Sequence, residues 1–213
     1  MTLPPEQIAN GASDILAHLL DRYFSPQENV VVTDRLLEGG MRAIIEIAPQ
    51  VYKCASCTKE KCCEGVDPYP FYAEFCLIGT LAHNSMLSMG RDVQDWATHR
   101  MENKLLSGIY NIAHGAGLAI FFPFWLKHVA KRSPEKIEQF SREVMGKKTI
   151  QEGIVALQEW YKGMNLPQSL SDVGIDAEEV ITHAKRMGVS AFHPGGYGKL
   201  DLNDVLAIIS ASR

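Results

Sequence analysis

Apolar residues recur along most of this chain at the three- and four-residue steps of a helix face. Over residues 7–20 the stripe is Ile8, Ala12, Ile15, Leu16 and Leu19, with Pro4 and Pro5 just ahead, where proline is tolerated at a helix start. A second helix is predicted from Thr33, with Asp34 in its first turn. It runs through Leu36, Leu37, Met41, Ile44 and Ile45 to about Ile47, and Pro49 is expected to end it. Residues 71–88 carry Phe75, Leu77, Ile78, Leu81, Met86 and Leu87, apolar on more than one side, which predicts a buried core helix. Residues 95–109, 117–131 (with Pro123 as a kink or break), 134–145 and 149–163 continue in the same texture, and Ser171, Asp176 and Asn203 read as start signals for short helices. No segment alternates apolar and polar with turn signals on both sides, and the β-branched run 30–33 is too brief for a sheet. The prediction is an all-α bundle, with residues 1–213 as one helical domain.

Composition narrows this picture only by exclusion. The chain has 213 residues, 46% hydrophobic and 22% charged, which is ordinary for a globular protein. A net charge of −4 without a Lys/Arg-rich block argues against nucleic acid or an anionic membrane as the partner. The most apolar stretch, 112–126, is short and holds His114 and Pro123, so no membrane span is expected, and the first ten residues lack the features of a secretory signal. These absences predict a cytoplasmic location.

One loop, about residues 52–70, is polar and holds four of the five cysteines, Cys54, Cys57, Cys62 and Cys63. Without an export signal, free thiols or metal thiolates are favoured over disulfides. A zinc or iron–sulfur site is one reading, although the spacing matches no standard finger, and reduced surface thiols are the other. Cys76, on an apolar helix, reads as a small buried hydrophobe.

Asp14 and His18 stand four apart on the first helix, so both side chains share a face one turn apart. Such a pair can reach one cation, or it can be a hydrogen-bonded surface pair. His99, in Asp95-Trp-Ala-Thr-His99, and His114, in Ile112-Ala-His114-Gly-Ala-Gly117, are further ligand candidates, each also readable as a hydrogen-bonded core histidine. His83, in Leu81-Ala-His83-Asn84, reads as a core histidine or as a residue beside a substrate pocket.

The strings Gly11-Ala-Ser-Asp14-Ile-Leu-Ala-His18, Thr33-Asp34-Arg35-Leu36, Leu81-Ala-His83-Asn84, Asp95-Trp-Ala-Thr-His99 and His114-Gly-Ala-Gly-Leu-Ala119, with a matching tail at 166–175 and 202–206, resemble the iron-containing (group III) alcohol dehydrogenases, above all the butanol-dehydrogenase branch. The resemblance implies the dehydroquinate-synthase-like helical domain of that family. It also implies an oxidoreductase acting on a small alcohol or aldehyde with NAD(P), and a homo-oligomer. The metal implied is Fe²⁺, with Zn²⁺ possible by affinity order, held by Asp14, His18, His99 and His114. An open coordination position would let the ion polarise the substrate oxygen. Two departures stand out. Asn103 occupies the place of a family histidine assigned to proton transfer or substrate contact, so no catalytic residue is certain. The interval from His99 to His114 is one residue longer than usual, which a π-bulge could absorb.

A nicotinamide enzyme also needs a strand–glycine–helix cradle for the pyrophosphate, and none is visible. His193-Pro-Gly195-Gly196-Tyr-Gly198 has the glycines but no preceding strand. In the family the nucleotide-binding α/β domain precedes the matched region, so the expectation is a metal-binding catalytic half whose nucleotide-binding half is supplied separately and which is inactive alone. The alternative is a non-catalytic metal-binding or interaction module derived from that fold.

Overall fold

A computed structural model describes residues 2–57, 67–192 and 196–213, and among them there is no β-strand. Helices α1 (Pro5–Tyr23), α2 (Val31–Ser56) and α3 (Tyr69–His83) are followed by α4 (Ala97–Glu102). A π turn, Asn103–Ser107, then leads into the short α5 (Gly108–Tyr110). The remainder is α6 (His114–Val129), α7 (Glu135–Glu143), α8 (Ile150–Lys162), α9 (Ala177–Met187) and α10 (Leu202–Ala211). The all-α expectation holds.

Helix α1 lies at the centre. Its stripe is wholly inside, with Ala12, Leu16, Leu19 and Leu20 fully buried, and it packs against α2, α3 and α6. Nearly every face being covered, α1 can carry polar side chains only where another polar group meets them. That constraint concentrates chemistry on the Asp14–Asp21 stretch.

Several sequence expectations are corrected. Helix α2 runs on through Pro49 to Ser56. Proline lacks the N–H that would bond the carbonyl four residues back, Ile45. Here the Trp160 indole N–H of α8 donates to that carbonyl at 2.9 Å, so a tertiary contact replaces the missing helical bond. Trp160→Phe keeps the ring and removes the donor, leaving the carbonyl unsatisfied. The variant is expected to lose roughly 1–3 kcal/mol in a urea melt, more than a Phe replacement elsewhere on the half-buried face of α8.

Secondly, α3 is not a core helix. Only Phe75, Ile78 and Ala82 are buried, while Leu77 and Cys76 are exposed, because α1 and α2 cover a single stripe of it. Thirdly, the last helix starts from Asp201, not Asn203. Asp201 accepts from the Asp204 N–H at 2.9 Å and Asp204 accepts from the Asp201 N–H at 2.8 Å, a reciprocal cap. Pro123, by contrast with a break, sits within a continuous α6.

A π turn, Asn103–Ser107, lies between His99 and His114, the kind of feature expected there from the length of that interval. No helix among the described residues is long and apolar enough to cross a membrane. The cysteine loop falls largely outside the described residues, Cys62 and Cys63 included. Cys54 lies in the last turn of α2, and Cys57, at its C-cap, is disulfide-bonded, which corrects the expectation of a free thiol or metal thiolate there.

A candidate metal centre where three helices meet

Asp14 and His18 project from α1, His99 from α4 and His114 from the first residue of α6. Local chemistry aims each element. The Asp95 N–H is bonded to the Asp21 and Phe24 carbonyls, both at 3.0 Å, so the start of α4 is tied to the end of α1. The Asp95 side chain accepts from Ala97 N, opening α4, and from Tyr197 N and Gly198 N of the glycine turn. Burial, with the nearby Asp21 charge, raises the Asp95 carboxyl to about 7. The glycine turn therefore buttresses α4 in this structure; its His193, Pro194 and Gly195 lie outside the described residues. Arg22 completes the frame, donating to the Ala82 carbonyl at 2.9 Å and so joining α1 to the end of α3.

Close approach of α6 to α1 depends on Gly115. A Cβ there would lie 2.0 Å from the Asn10 carbonyl oxygen, so only glycine permits the contact. The result sets His114 opposite Asp14.

The four side chains converge. Asp14 Oδ1 lies 3.3 Å from His18 Nδ1, 3.6 Å from His99 Nε2 and 3.5 Å from His114 Nε2, while His18 Nδ1 and His99 Nε2 are 3.3 Å apart. Donor atoms of Asp14, His18 and His99 all fall within 4.8 Å of one another, and His114 joins them through its approach to Asp14. Bonds of about 2.0–2.1 Å around a tetrahedral ion put neighbouring donors about 3.3–3.4 Å apart, close to the spacing of Asp14 Oδ1 from His99 Nε2 and His114 Nε2. His18 Nδ1 donates to the Asp14 main-chain carbonyl at 3.0 Å, which leaves its Nε2 as the atom for an ion. Asp14 Oδ1 is itself buried without a hydrogen bond, a costly condition for a carboxylate oxygen unless a cation meets it.

Electrostatics agree. Burial acts to raise the Asp14 carboxyl, but the polar contacts and charges of His18, His99 and His114 outweigh it and hold the group well below the usual carboxylate range. Asp14 is thus ionised. Burial lowers His99, yet the Asp21 charge, the bond to Asp21 and the nearby Asp14 carboxylate prevail and push it up to about 9. Cation and proton therefore compete for His99.

Two carboxylates that the sequence reading passed over complete the arrangement. Asp21, almost wholly buried, meets His99 Nδ1, which leaves Nε2 facing Asp14. Glu102, fully buried, meets His114 Nδ1. Spacing held a signal for both: Asp21 is three residues beyond His18 on α1, and Glu102 three beyond His99 on α4, each one turn from a ligand candidate. His83 also reaches the cluster. Its Nε2 is 3.2 Å from Asp14 Oδ2, its ring centroid is 4.1 Å from that of His18, and its Nδ1 donates to the Gly79 carbonyl at 2.7 Å. Its side chain is half exposed, so the core-histidine reading is replaced by one at the rim of the cluster. Asn103 is exposed at the start of the π turn.

Comparison with known proteins gives a consistent picture. Residues 8–213 match the family described as Fe-containing alcohol dehydrogenase family, C-terminal. A probable NADH-dependent butanol dehydrogenase 1 of Bacillus subtilis is 33% identical over 99% of this chain and 53% of its own length. Among solved structures, the NADH-dependent butanol dehydrogenase A of Thermotoga maritima is 31% identical with a TM-score of 0.83, over 99% of this chain and 53% of that one. The substrate- and cofactor-free aldehyde reductase YqhD of Escherichia coli is 26% identical with a TM-score of 0.85, over 100% and 54%. The chain spans about half the length of the curated relatives it matches.

Proposed function

The chain belongs to the Fe-containing alcohol dehydrogenase family, and from that premise we propose that it is the metal-binding catalytic part of an NAD(P)-dependent alcohol dehydrogenase or aldehyde reductase. Asp14, His18, His99 and His114 would hold one divalent ion, Fe²⁺ in the working protein, with Zn²⁺ as the competitor that affinity order favours. The observation that carries this reading is the buried Asp14 oxygen that makes no hydrogen bond and faces His99 Nε2 and His114 Nε2 at close to tetrahedral-edge spacing, with the His18 ring beside it. Relatives named as butanol dehydrogenases and aldehyde reductases support a small alcohol or aldehyde as the substrate class.

When bound, the ion supplies Lewis acidity toward the substrate oxygen. The residues of this chain do the rest. Asp14 brings the negative charge that makes a cation welcome at a buried point. Asp21 sets the orientation of His99, and His18 packs edge-on to Trp96, which limits the freedom of both rings. Asn103 offers a hydrogen bond but no proton transfer near neutral pH, so the solvent-facing proton step is left to another group. The residues 1–213 act as a helical metal domain, and the nucleotide is bound by an α/β unit beyond these residues.

The test combines metal and partner. Dialysed against Fe²⁺ or Zn²⁺, the chain should retain about one ion per molecule and show negligible NAD(P)H-dependent butyraldehyde reduction alone. Adding the α/β half of a butanol dehydrogenase relative should restore turnover. A chain that retains no ion sinks the reading.

A further inference from the structure

Glu102 is an interior carboxylate that no part of the proposed chemistry uses, and four features of the chain make room for it. We propose that Glu102 is the positioning residue of His114, seated by the π turn that follows it; this rests on the metal reading above. The side chain is 0% exposed and its Oε2 meets His114 Nδ1. At the other end of the π turn, Ser107 comes back onto the same carboxylate. Its backbone N–H donates to Oε1 and its hydroxyl to Oε2, both at 3.2 Å.

The path of the side chain is cleared by Gly117, where a Cβ would lie 2.6 Å from both Glu102 Cγ and Oε1. The wide turn itself needs Gly108, where a Cβ would lie 2.4 Å from the Asn103 carbonyl oxygen. In a regular α-helix the Ser107 N–H would point at the carbonyl of residue 103. The extra residue turns it toward Glu102 instead. The π turn is thus not a neutral way of absorbing length. It supplies two of the donors that meet this buried carboxylate, and His114 supplies a third.

The consequence is a fixed tautomer. With Nδ1–H donated to Glu102, the lone pair of His114 is at Nε2, the atom 3.5 Å from Asp14 Oδ1. Asp21 does the same for His99. With Asp14 as a ligand and Asp21 and Glu102 behind the two imidazoles, a divalent ion held here would be offset by three carboxylates, which would strengthen binding and make the imidazoles more electron-donating.

The experiment is a Co²⁺ titration of the full chain, read by the visible absorption of the bound ion, for wild type, Glu102→Gln and Ser107→Ala. Glu102→Gln should weaken Co²⁺ binding about 10- to 100-fold and alter the absorption envelope, with Ser107→Ala changing both in the same direction by less. Unchanged affinity and an unchanged envelope in Glu102→Gln overturn the assignment while leaving the metal reading intact. A wild-type chain that takes up no Co²⁺ overturns both. Should Glu102→Gln fail to fold, the Zn²⁺ form of the wild type decides. Its long-range ¹H–¹⁵N spectrum should show His114 protonated at Nδ1 and coordinated through Nε2, and coordination through Nδ1 overturns the proposal.

Discussion

In His99→Ala, cation affinity is expected to fall about 100- to 1,000-fold. An apparent binding free energy of roughly 10–16 kcal/mol shared by four ligands is about 2.5–4 kcal/mol for each. The same change has a second effect. Asp21 lies wholly inside the protein, where burial raises its carboxyl against the lowering pull of His99. Without His99 that carboxylate must be protonated or left unpaired, so the variant should also melt earlier, by an amount in the range of about 3–5 kcal/mol. The two effects separate in the double variant. His99→Ala with Asp21→Asn should recover most of the lost stability in denaturant melts, because the buried charge is gone. Its metal content, measured by atomic absorption after dialysis, should stay near zero. Equal metal content in wild type and His99→Ala would remove His99 from the site.

Gly115→Ala is the second large effect, and it acts on geometry. The new methyl would meet a backbone oxygen, Asn10 O, at 2.0 Å, and backbone cannot swing aside as a long side chain can. Helix α6 must move off α1, and the expected loss is about 3 kcal/mol or more, at the upper end of overpacking effects. Because α1 carries Asp14 and His18 while α6 carries His114, the same displacement widens the 3.5 Å approach of His114 to Asp14. Metal affinity should therefore drop with stability. Gly39→Ala is the matched control. Gly39 lies inside α2 with nothing within 4 Å of a Cβ, so alanine there should stabilise by roughly 0.5–1 kcal/mol through helix propensity and leave metal binding unchanged. If Gly115→Ala melts like wild type with full metal uptake, the close approach of α1 and α6 is not what builds the site.

The two expected losses have different origins. His99 belongs to a set of donors; Gly115 holds no donor, yet the set depends on it. The same division runs through the glycines generally. Gly117 clears the path for Glu102, whereas Gly39 clears nothing.

The amino-acid sequence by itself determined the helices and the ligand candidates. Helical periodicity is a local property, and so is the one-turn spacing of Asp14 and His18. The family resemblance singled out the same four ligand candidates, and the length of the His99–His114 interval foreshadowed the π turn. What the sequence could not decide depended on groups distant along the chain. Pro49 reads as a helix end until Trp160, on another helix, supplies the hydrogen bond that proline removes. Residues 71–88 read as a core helix because apolar character is written in the sequence but coverage is not, and only one stripe of α3 meets α1 and α2. Asp21 and Glu102 look like ordinary helix-surface acids until the fold encloses them against His99 and His114. A side chain's partners are set by which surfaces the packed helices bring together, and that packing is a property of the whole chain.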